Sequence, residues 1–222
     1  MVHSWLDVIV SQRIALCDDI VELELLSPVG DDLPVFDPGA YINIQIPGGI
    51  LRPYSLCSSA RERQRYRIAI RRERHSRGAS AYLCDVVKVG QRLTISSPMN
   101  EFPLNRSSVY SVLLGAGVGL TPLLSMADDL WSRGAGFELH YSEKSAIEAP
   151  FFNHLQKSKF KDRLKFHWSK NPKGRINFEH CLTVVPRLSD LYFCGPKSYI
   201  DSGITSACLL GWSMDLIHWE NF

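Results

Sequence analysis

The sequence lacks the clustered cysteines of a zinc finger or an iron–sulfur domain. Its six cysteines are scattered, with no C-x-x-C pair and no C-x4-C-x2-C run of a plant-type cluster. The seven histidines form no H-E-x-x-H motif, and there is no G-x-S-x-G elbow of a serine hydrolase. We therefore expect no metal site and no [2Fe-2S] cluster in this chain.

Strong charge and long apolar runs are also missing. The 222 residues carry a formal net charge of +2, too little to indicate a nucleic-acid partner. The longest apolar stretch, 109–126, is interrupted by three glycines and a proline, unlike a membrane span. Residues 1–5 resemble no signal peptide. These features predict a cytoplasmic protein without a membrane or nucleic-acid partner.

The first half alternates apolar and polar residues with period two. Segments 20–25, 41–46, 66–71 and 93–96 each show this alternation, separated by turn residues. Short strands at this spacing predict an antiparallel β-barrel domain over residues 1–104. One short helix is expected from Ser80 to about Val87.

Residues 52–56 place a cation, a phenol and a hydroxyl on one predicted strand. Arg52, Tyr54 and Leu56 would face one side, and Pro53 and Ser55 the other. A guanidinium suits a phosphate and a phenol suits a flat ring, so the stretch could hold a flavin mononucleotide. Taken alone, it reads better as an edge strand whose proline blocks pairing.

A second candidate for phosphate binding follows one hairpin later. Arg77, Gly78, Ala79 and Ser80 put small residues and a cap-type serine before the predicted helix, whose N-terminus attracts anions. An isolated stretch of this kind is more often an ordinary loop. Its interest is that it follows the strand of Arg52.

The second half has the pattern of an α/β domain over residues 109–222. A buried strand at 109–114 runs into the glycine-rich loop 115–122, where Thr121 is expected to cap a helix that starts with Pro122. That helix should bury residues 123, 124, 127, 130 and 131 and end at Gly134. The spacing G-x-G-x-G differs from the ordinary Rossmann G-x-G-x-x-G.

Further strands are predicted at 137–141, 164–168, 190–194 and 215–219, and helices at 150–156 and 197–210. This alternation predicts a doubly wound parallel sheet with ligands at the carboxyl ends of its strands. The loops 115–121, 142–145 and 194–196 all lie at that edge.

The order of these motifs resembles the ferredoxin–NADP reductase superfamily, and most closely its phthalate dioxygenase reductase and vanillate demethylase reductase family. The resemblance is carried by 52–57, 66–70, 77–80, 100–104 and 218–222 and spans almost the whole chain. It implies that a flavin is held by Arg52, Tyr54, Ser55, Leu56, Ile68, Ala69, Ile70, Gly78, Ala79 and Ser80. It implies that a nicotinamide nucleotide is bound by Gly115, Gly117, Gly119, Thr121, Pro122, Ser142, Lys144, Gly195 and Pro196.

Two residues are given catalytic roles by the same resemblance. Cys194 would lie near the nicotinamide, and Phe222 would cover the flavin ring and move aside for hydride transfer. The family's dioxygenase reductases use FMN, with FAD as the alternative. The family also favours NADH over NADPH, although Glu143 and Lys144 offer one charge of each sign for the ribose.

The resemblance predicts an FMN-dependent NADH oxidoreductase, the reductase component of an oxygenase or demethylase system. Relatives continue past a Glu-x-Phe ending into a plant-type [2Fe-2S] domain, whereas this sequence stops at Phe222. Either the sequence belongs to a longer protein, or electrons pass to a separate iron–sulfur ferredoxin or oxygenase component. A free flavin reductase and a non-catalytic flavin- or nucleotide-binding module are the alternatives.

Overall fold

The chain forms two structural units, and the boundary between them lies between Pro103 and Leu104. The computed structural model describes residues 4–73 and 78–222. Arg77 and the first three residues, on which the sequence analysis also drew, lie outside the described residues. Residues 105–108, which lie between the two predicted domains, belong to the second unit, where Asn105 contacts Asp190 and the hydroxyl of Tyr192.

The first unit contains six antiparallel strands: β1 (Trp5–Cys17), β2 (Ile20–Leu26), β3 (Tyr41–Ile46), β4 (Ile50–Ser55), β5 (Arg65–Arg71) and β6 (Arg92–Ser96). Their order in the sheet is β4-β3-β6-β1-β2-β5. The two outer strands are joined where Leu56, just after β4, bridges Ile68 on β5. This seam closes the sheet and confirms the predicted barrel.

The alternation seen in the sequence builds the barrel core. Leu23 and Leu25 of β2, and Ile42 and Ile44 of β3, are fully buried in one apolar cluster. Strand β1 was not predicted, because its second half, from Gln12 onward, is largely exposed and carries no inward-facing apolar series.

The predicted short helix is present in an unusual form. An α-helical turn, α1 (Ala79–Ala81), continues directly into a π-helical turn over Tyr82–Val86. Gly78 precedes it with a φ of +108°, a backbone conformation that favours glycine. The prediction of Ser80 as the cap was wrong. Its hydroxyl instead accepts a hydrogen bond from the backbone N–H of Glu73 at 3.1 Å.

The second unit is a five-stranded sheet with helices. Its elements are β7 (Tyr110–Ala116), α2 (Leu120–Ser132), β8 (Gly136–Glu143), α3 (Phe152–Gln156), β9 (Leu164–Trp168), α4 (Phe178–Thr183), β10 (Asp190–Gly195), α5 (Lys197–Leu209) and β11 (Ile217–Asn221). The strand order is β11-β10-β7-β8-β9 and every pairing is parallel. This confirms the predicted α/β fold.

Local predictions in this unit were wrong at three places. Trp131 is 37% exposed, not buried. The last strand begins at Ile217, because a 3-10 turn over Met214–Leu216 takes up the residues before it. Helix α4 was missed, although Asn177 caps it by accepting a hydrogen bond from the backbone N–H of His180 at 2.9 Å. No helix among the described residues is both long and apolar enough to span a membrane.

A buried carboxylate on β2 binds two arginines of β5, the strand that takes part in the seam. Glu24 on β2 accepts hydrogen bonds from Ser11 at 2.9 Å and from Arg65 at 3.0 Å, and Arg67 lies 3.3 Å away. Burial alone would raise the pKa of Glu24, but these hydrogen bonds and positive charges outweigh it and lower the pKa. The ionised form is therefore the one that stabilises the fold.

We expect Glu24→Gln to lower the free energy of unfolding by about 1–3 kcal/mol, because two arginines lose their buried partner. Since the folded pKa lies below the unfolded value, this contribution is present above the ordinary carboxyl pKa and is lost as the pH falls through the folded value. Urea unfolding measured from pH 7 down to pH 3 checks both points.

Asp32→Asn is the control, because Asp32 forms an exposed ion pair with Arg63 and should change stability by less than about 0.5 kcal/mol. Equal effects of the two substitutions at pH 7 would contradict the proposed role of the Glu24 network.

Candidate functional sites

The predicted flavin strand lies beside the barrel seam. Arg52 and Tyr54 are half-buried on β4, while Pro53 between them is exposed. After β4 the chain turns to pair with β5, through the Leu56–Ile68 bridge and a hydrogen bond from the N–H of Cys57 to the carbonyl of Arg67 at 2.9 Å. The seam thus brings together segments 52–56 and 66–70, which are separate in sequence.

Arg52 is a half-buried cation on β4. Its Nη1 donates to the neighbouring carbonyl of Leu51 at 2.8 Å, and no carboxylate within residues 4–73 and 78–222 pairs with it. Tyr54 packs on the barrel core, and burial raises its pKa to about 12, with a smaller effect from Cys84, so its phenol remains protonated. A fixed cation and a neutral phenol lie two residues apart.

The remaining predicted flavin residues fall into two groups. Leu56, Ile68 and Ile70 are fully buried in the core, so their side chains are not available to a ligand. Ser55 and Ala69 are 4% and 5% exposed. Among the predicted flavin residues of the seam, Arg52 and Tyr54 therefore have the more accessible side chains.

The predicted phosphate loop is attached to β5 near the same seam. Cys84, in the π-helical turn, donates through Sγ to the carbonyl of Ile70 at 3.7 Å. Ala79 is 3% exposed and belongs to the barrel core. A Cβ added at Gly78 would meet nothing within 4 Å. Among residues 78–80, Gly78 is exposed, whereas Ala79 and Ser80 are buried.

In the second unit, Gly115 near the end of β7 and the two glycines of the following turn are each required by the local structure. Gly117 has a φ of +61°, and it starts the 3-10 turn Gly117–Gly119 that leads into α2. A Cβ at Gly115 would lie 3.1 Å from the side chains of Leu120 and Leu123, so this glycine permits close packing of strand and helix. A Cβ at Gly119 would lie 2.6 Å from the backbone nitrogen of Gly195.

Thr121 and Pro122 occupy the first turn of α2, not the positions predicted for them. Gly119 is the N-cap, and the Thr121 hydroxyl donates to the carbonyl of Val118 at 2.9 Å. Thr121 therefore closes the turn from within the helix and does not cap it. Both residues are buried.

The Cys-Gly-Pro turn meets the glycine loop at the carboxyl edge of the sheet. Gly195 has a φ of +151°, and its Cβ position is filled by Ala116, 3.0 Å away. Strands β7 and β10 are neighbours in the sheet. The chain continues from β7 to β8 on one side and from β10 to β11 on the other, so the topological switch point lies between β7 and β10. Pro196 then precedes α5 as its N-cap.

The two residues predicted to be catalytic lie near this turn. The backbone N–H of Phe222 donates to the carbonyl of Gly195 at 3.2 Å, and its side chain is 47% exposed. Cys194 is fully buried, and burial together with the charge of Glu220 raises the pKa of its thiol well above the usual value. The thiol is thus protonated, and its role at the nicotinamide stays a prediction.

Ser142 and Lys144 lie at the carboxyl end of β8, on the same edge as the glycine loop. Lys144 donates its backbone N–H to the carboxylate of Glu143 at 3.1 Å. Sequence reasoning missed Tyr199 on α5, whose hydroxyl accepts a hydrogen bond from Ser142 at 3.3 Å. An aromatic residue within a helix is usually core, so no sequence signal marked it.

A glycine-lined switch point in a parallel sheet, together with an antiparallel barrel, defines the class of ferredoxin-reductase-like proteins. No protein-family model matches the sequence. Vanillate O-demethylase oxidoreductase from Pseudomonas sp. (strain HR199 / DSM 7063) is 34% identical over 98% of this chain and 69% of its own length. Phthalate dioxygenase reductase from Burkholderia cepacia is 32% identical over 96% of this chain and 66% of its own length.

A solved structure is similar over the same extent. It is described as phthalate dioxygenase reductase, a modular structure for electron transfer from pyridine nucleotides to [2Fe-2S], with a TM-score of 0.92 and 30% identity over 98% of this chain and 68% of that one. The chain belongs to this family of oxygenase and demethylase reductases and spans about two thirds of these relatives. This confirms the predicted enzyme class, a flavin-dependent NAD(P)H oxidoreductase.

We expect Gly119→Ala to weaken nicotinamide nucleotide binding by at least about tenfold, because the added methyl forces the glycine loop away from Cys194 and Gly195. Titration of the purified variant with NADH and NAD⁺ measures this effect.

Gly134→Ala serves as the control, since its Cβ meets nothing within 4 Å although its φ is +69°. It should cost stability without changing nucleotide affinity. Wild-type affinity in Gly119→Ala would show that the close approach of the two loops does not matter for binding.

Proposed function

We propose that the protein is an FMN-dependent NADH oxidoreductase that serves an oxygenase or demethylase system as its reductase. It takes hydride from NADH and delivers single electrons to an iron–sulfur acceptor. The observation that carries this proposal is the close approach of Gly119 to Gly195 at the switch point, which leaves backbone in place of side chains where a nucleotide would lie.

The residues of the barrel seam fit a flavin mononucleotide. Arg52 would bind its phosphate, since no described carboxylate neutralises the guanidinium. The exposed backbone at Gly78 would accept the same anion. Tyr54 would lie against the ring, with the main chain of Ile68 and Ile70 beside it. When bound, the flavin supplies the chemistry of accepting an electron pair and releasing it one electron at a time.

The residues of the second unit would orient the nicotinamide nucleotide. Gly117 and Gly119 keep the pyrophosphate close to backbone N–H groups of the turn into α2. Glu143 would bind the ribose 2′-hydroxyl, which favours NADH, and Ser142 lies beside it. The role proposed for Phe222 is to cover the flavin ring until the nicotinamide displaces its exposed side chain.

An iron–sulfur acceptor is supported by the similarity to phthalate dioxygenase reductase, which transfers electrons from pyridine nucleotides to [2Fe-2S]. The acceptor would be a ferredoxin or an oxygenase component. The names of the relatives assign those proteins to a demethylase and a dioxygenase system.

The direct test is anaerobic reduction of the flavin-loaded protein by NADH and by NADPH, followed at the flavin absorbance. We expect NADH to bleach the flavin at least about tenfold faster, and the mass of the flavin released by denaturation to be that of FMN. If neither nucleotide reduces the flavin, the enzyme proposal is wrong. Flavin that leaves the protein during turnover on gel filtration would indicate a free flavin reductase instead.

We expect Arg52→Gln to weaken FMN affinity by about tenfold or more, because a charge-assisted contact to phosphate is worth about 1.5–3 kcal/mol. Riboflavin, which has no phosphate, should lose little affinity in the same variant. Fluorescence titration of the apoprotein with both flavins measures the difference.

The matched control is Arg92→Gln, an exposed arginine on β6 of the same barrel. It should leave both affinities unchanged. Equal losses for FMN and riboflavin in Arg52→Gln would show that Arg52 supports the barrel and does not contact the phosphate.

A further inference from the structure

Polar residues gather on one face of the sheet in the second unit, away from the glycine loop. Glu138 and His140 alternate on β8, Lys165 and His167 alternate on β9, and Cys181 comes from α4. Residues two apart share a face of a strand, and His140 pairs with Lys165 across the two strands. Three elements thus contribute to one cluster.

The side chains of this His–Cys cluster form a continuous chain of contacts. His140 Nε2 lies 2.7 Å from Glu138 Oε1, and Lys165 donates to Glu138 Oε2 at 2.6 Å. On its other side, His140 Nδ1 lies 2.9 Å from His167 Nε2, and the two rings lie side by side in nearly one plane, with an interplanar angle of 3° and centroids 5.1 Å apart. Both ends of the His140 ring are therefore engaged.

The possible metal ligands of the cluster lie close together. One ligand atom each of His140, His167 and Cys181 lies within 4.8 Å of the others. A tetrahedral zinc ion with bonds of about 2.0–2.3 Å separates its ligands by about 3.3–3.6 Å, so the two imidazoles, now 2.9 Å apart, would have to move apart and turn towards the ion. His140 is fully buried and Cys181 is 7% exposed, whereas half-buried His167 gives access from solvent.

The contact between Glu138 and His140 resembles the outer shell of a metal site. A histidine that binds a metal through one ring nitrogen commonly donates its other N–H to a carboxylate, which fixes its tautomer and orientation. Glu138 holds Nε2 of His140 in this way, so Nδ1 is the nitrogen directed at His167. Lys165 in turn holds Glu138.

We propose that His140, His167 and Cys181 bind a zinc ion, with Glu138 as the residue that positions His140. Zinc would bind Nδ1 of His140, Nε2 of His167 and the thiolate of Cys181, and a water molecule would take the fourth position. The proton between the two imidazoles moves to Nδ1 of His167, and the Cys181 thiol releases one proton to solvent. No metal site was predicted from the sequence, because the three ligands are separated by 27 and 14 residues and form no motif.

The donor set selects the metal. Two imidazoles and a thiolate suit zinc or copper, whereas magnesium and calcium require oxygen ligands. Of the two metals, zinc takes cysteine and histidine ligands in tetrahedral sites without a change of oxidation state. The ion would join β8, β9 and α4 just below Ser142, two residues beyond His140 at the nucleotide-facing edge.

The test uses the whole flavin-loaded chain, stripped with a chelator and kept reduced by a phosphine. Zinc titrated against a chromophoric chelator should bind one equivalent tightly. Cobalt in its place should give the visible d–d bands of tetrahedral coordination, beyond the flavin absorbance, and a thiolate-to-cobalt charge-transfer band. Bound zinc should also raise the midpoint of thermal unfolding.

Three variants separate the site from incidental binding. Cys181→Ala should lose the charge-transfer band and the tight equivalent, whereas Cys208→Ala, an exposed cysteine on α5, should keep both. Glu138→Gln should weaken zinc binding by about 10- to 100-fold while leaving one equivalent. His167→Gln, at the half-buried ligand, should bind no tight equivalent.

Circular dichroism and flavin content verify that each variant is folded, and the cobalt spectrum of the wild type decides the matter even if a variant does not fold. Absence of a tight zinc equivalent in the wild type overturns the proposal, as does wild-type affinity in Cys181→Ala. Either result would leave the cluster as a buried hydrogen-bonded network only.

Discussion

The second unit depends on one close approach between two backbone segments. At the switch point, Gly119 lies so near the peptide of Cys194 and Gly195 that no side chain fits between them. The strands β7 and β10 can then lie side by side while their helices leave on different faces of the sheet. The same lack of side chains that permits this packing leaves backbone N–H groups at the edge where a nucleotide is expected.

In the barrel, backbone pairing closes the two edges of the sheet. Strands β4 and β5 would both be open edges of a six-stranded sheet, and the Leu56–Ile68 bridge joins them. Proline at position 53 removes one donor from β4, which limits pairing there and leaves Arg52 and Tyr54 half-buried at the seam. The candidate flavin residues thus lie where the barrel closes, and Glu24 stabilises the neighbouring part of β5 through two arginines.

Much of this could be predicted from the sequence, because it follows from periodicity. The alternation in 20–25 and 41–46 predicted barrel strands, and the apolar segment before Gly115 predicted a buried parallel strand; both were confirmed. Strands and helices that bury few residues were harder to predict from the sequence. The second half of β1 buries little and so carries no pattern, and α4 has only six residues, too few for a helical period.

The identity of local caps could not be derived from residue preferences alone. Thr121 and Ser80 are common capping residues, yet each uses its hydroxyl on a nearby backbone group while a glycine occupies the cap. The positive φ of Gly78, and the close approach of Gly119 to Cys194 and Gly195, decide where the two helices start. Tertiary contacts, not propensity, set these boundaries.

The His–Cys cluster shows the same limit for chemistry. Its residues come from two strands and a short helix, and only the register of β8 with β9 brings His140 and His167 within hydrogen-bonding distance. Burying the imidazole of His140 and the carboxylate of Glu138 together is costly unless each is satisfied. The contacts from Lys165 through Glu138 to His140 satisfy one end, and the meeting of two ring nitrogens with a thiol at the other end is what a zinc ion would satisfy best.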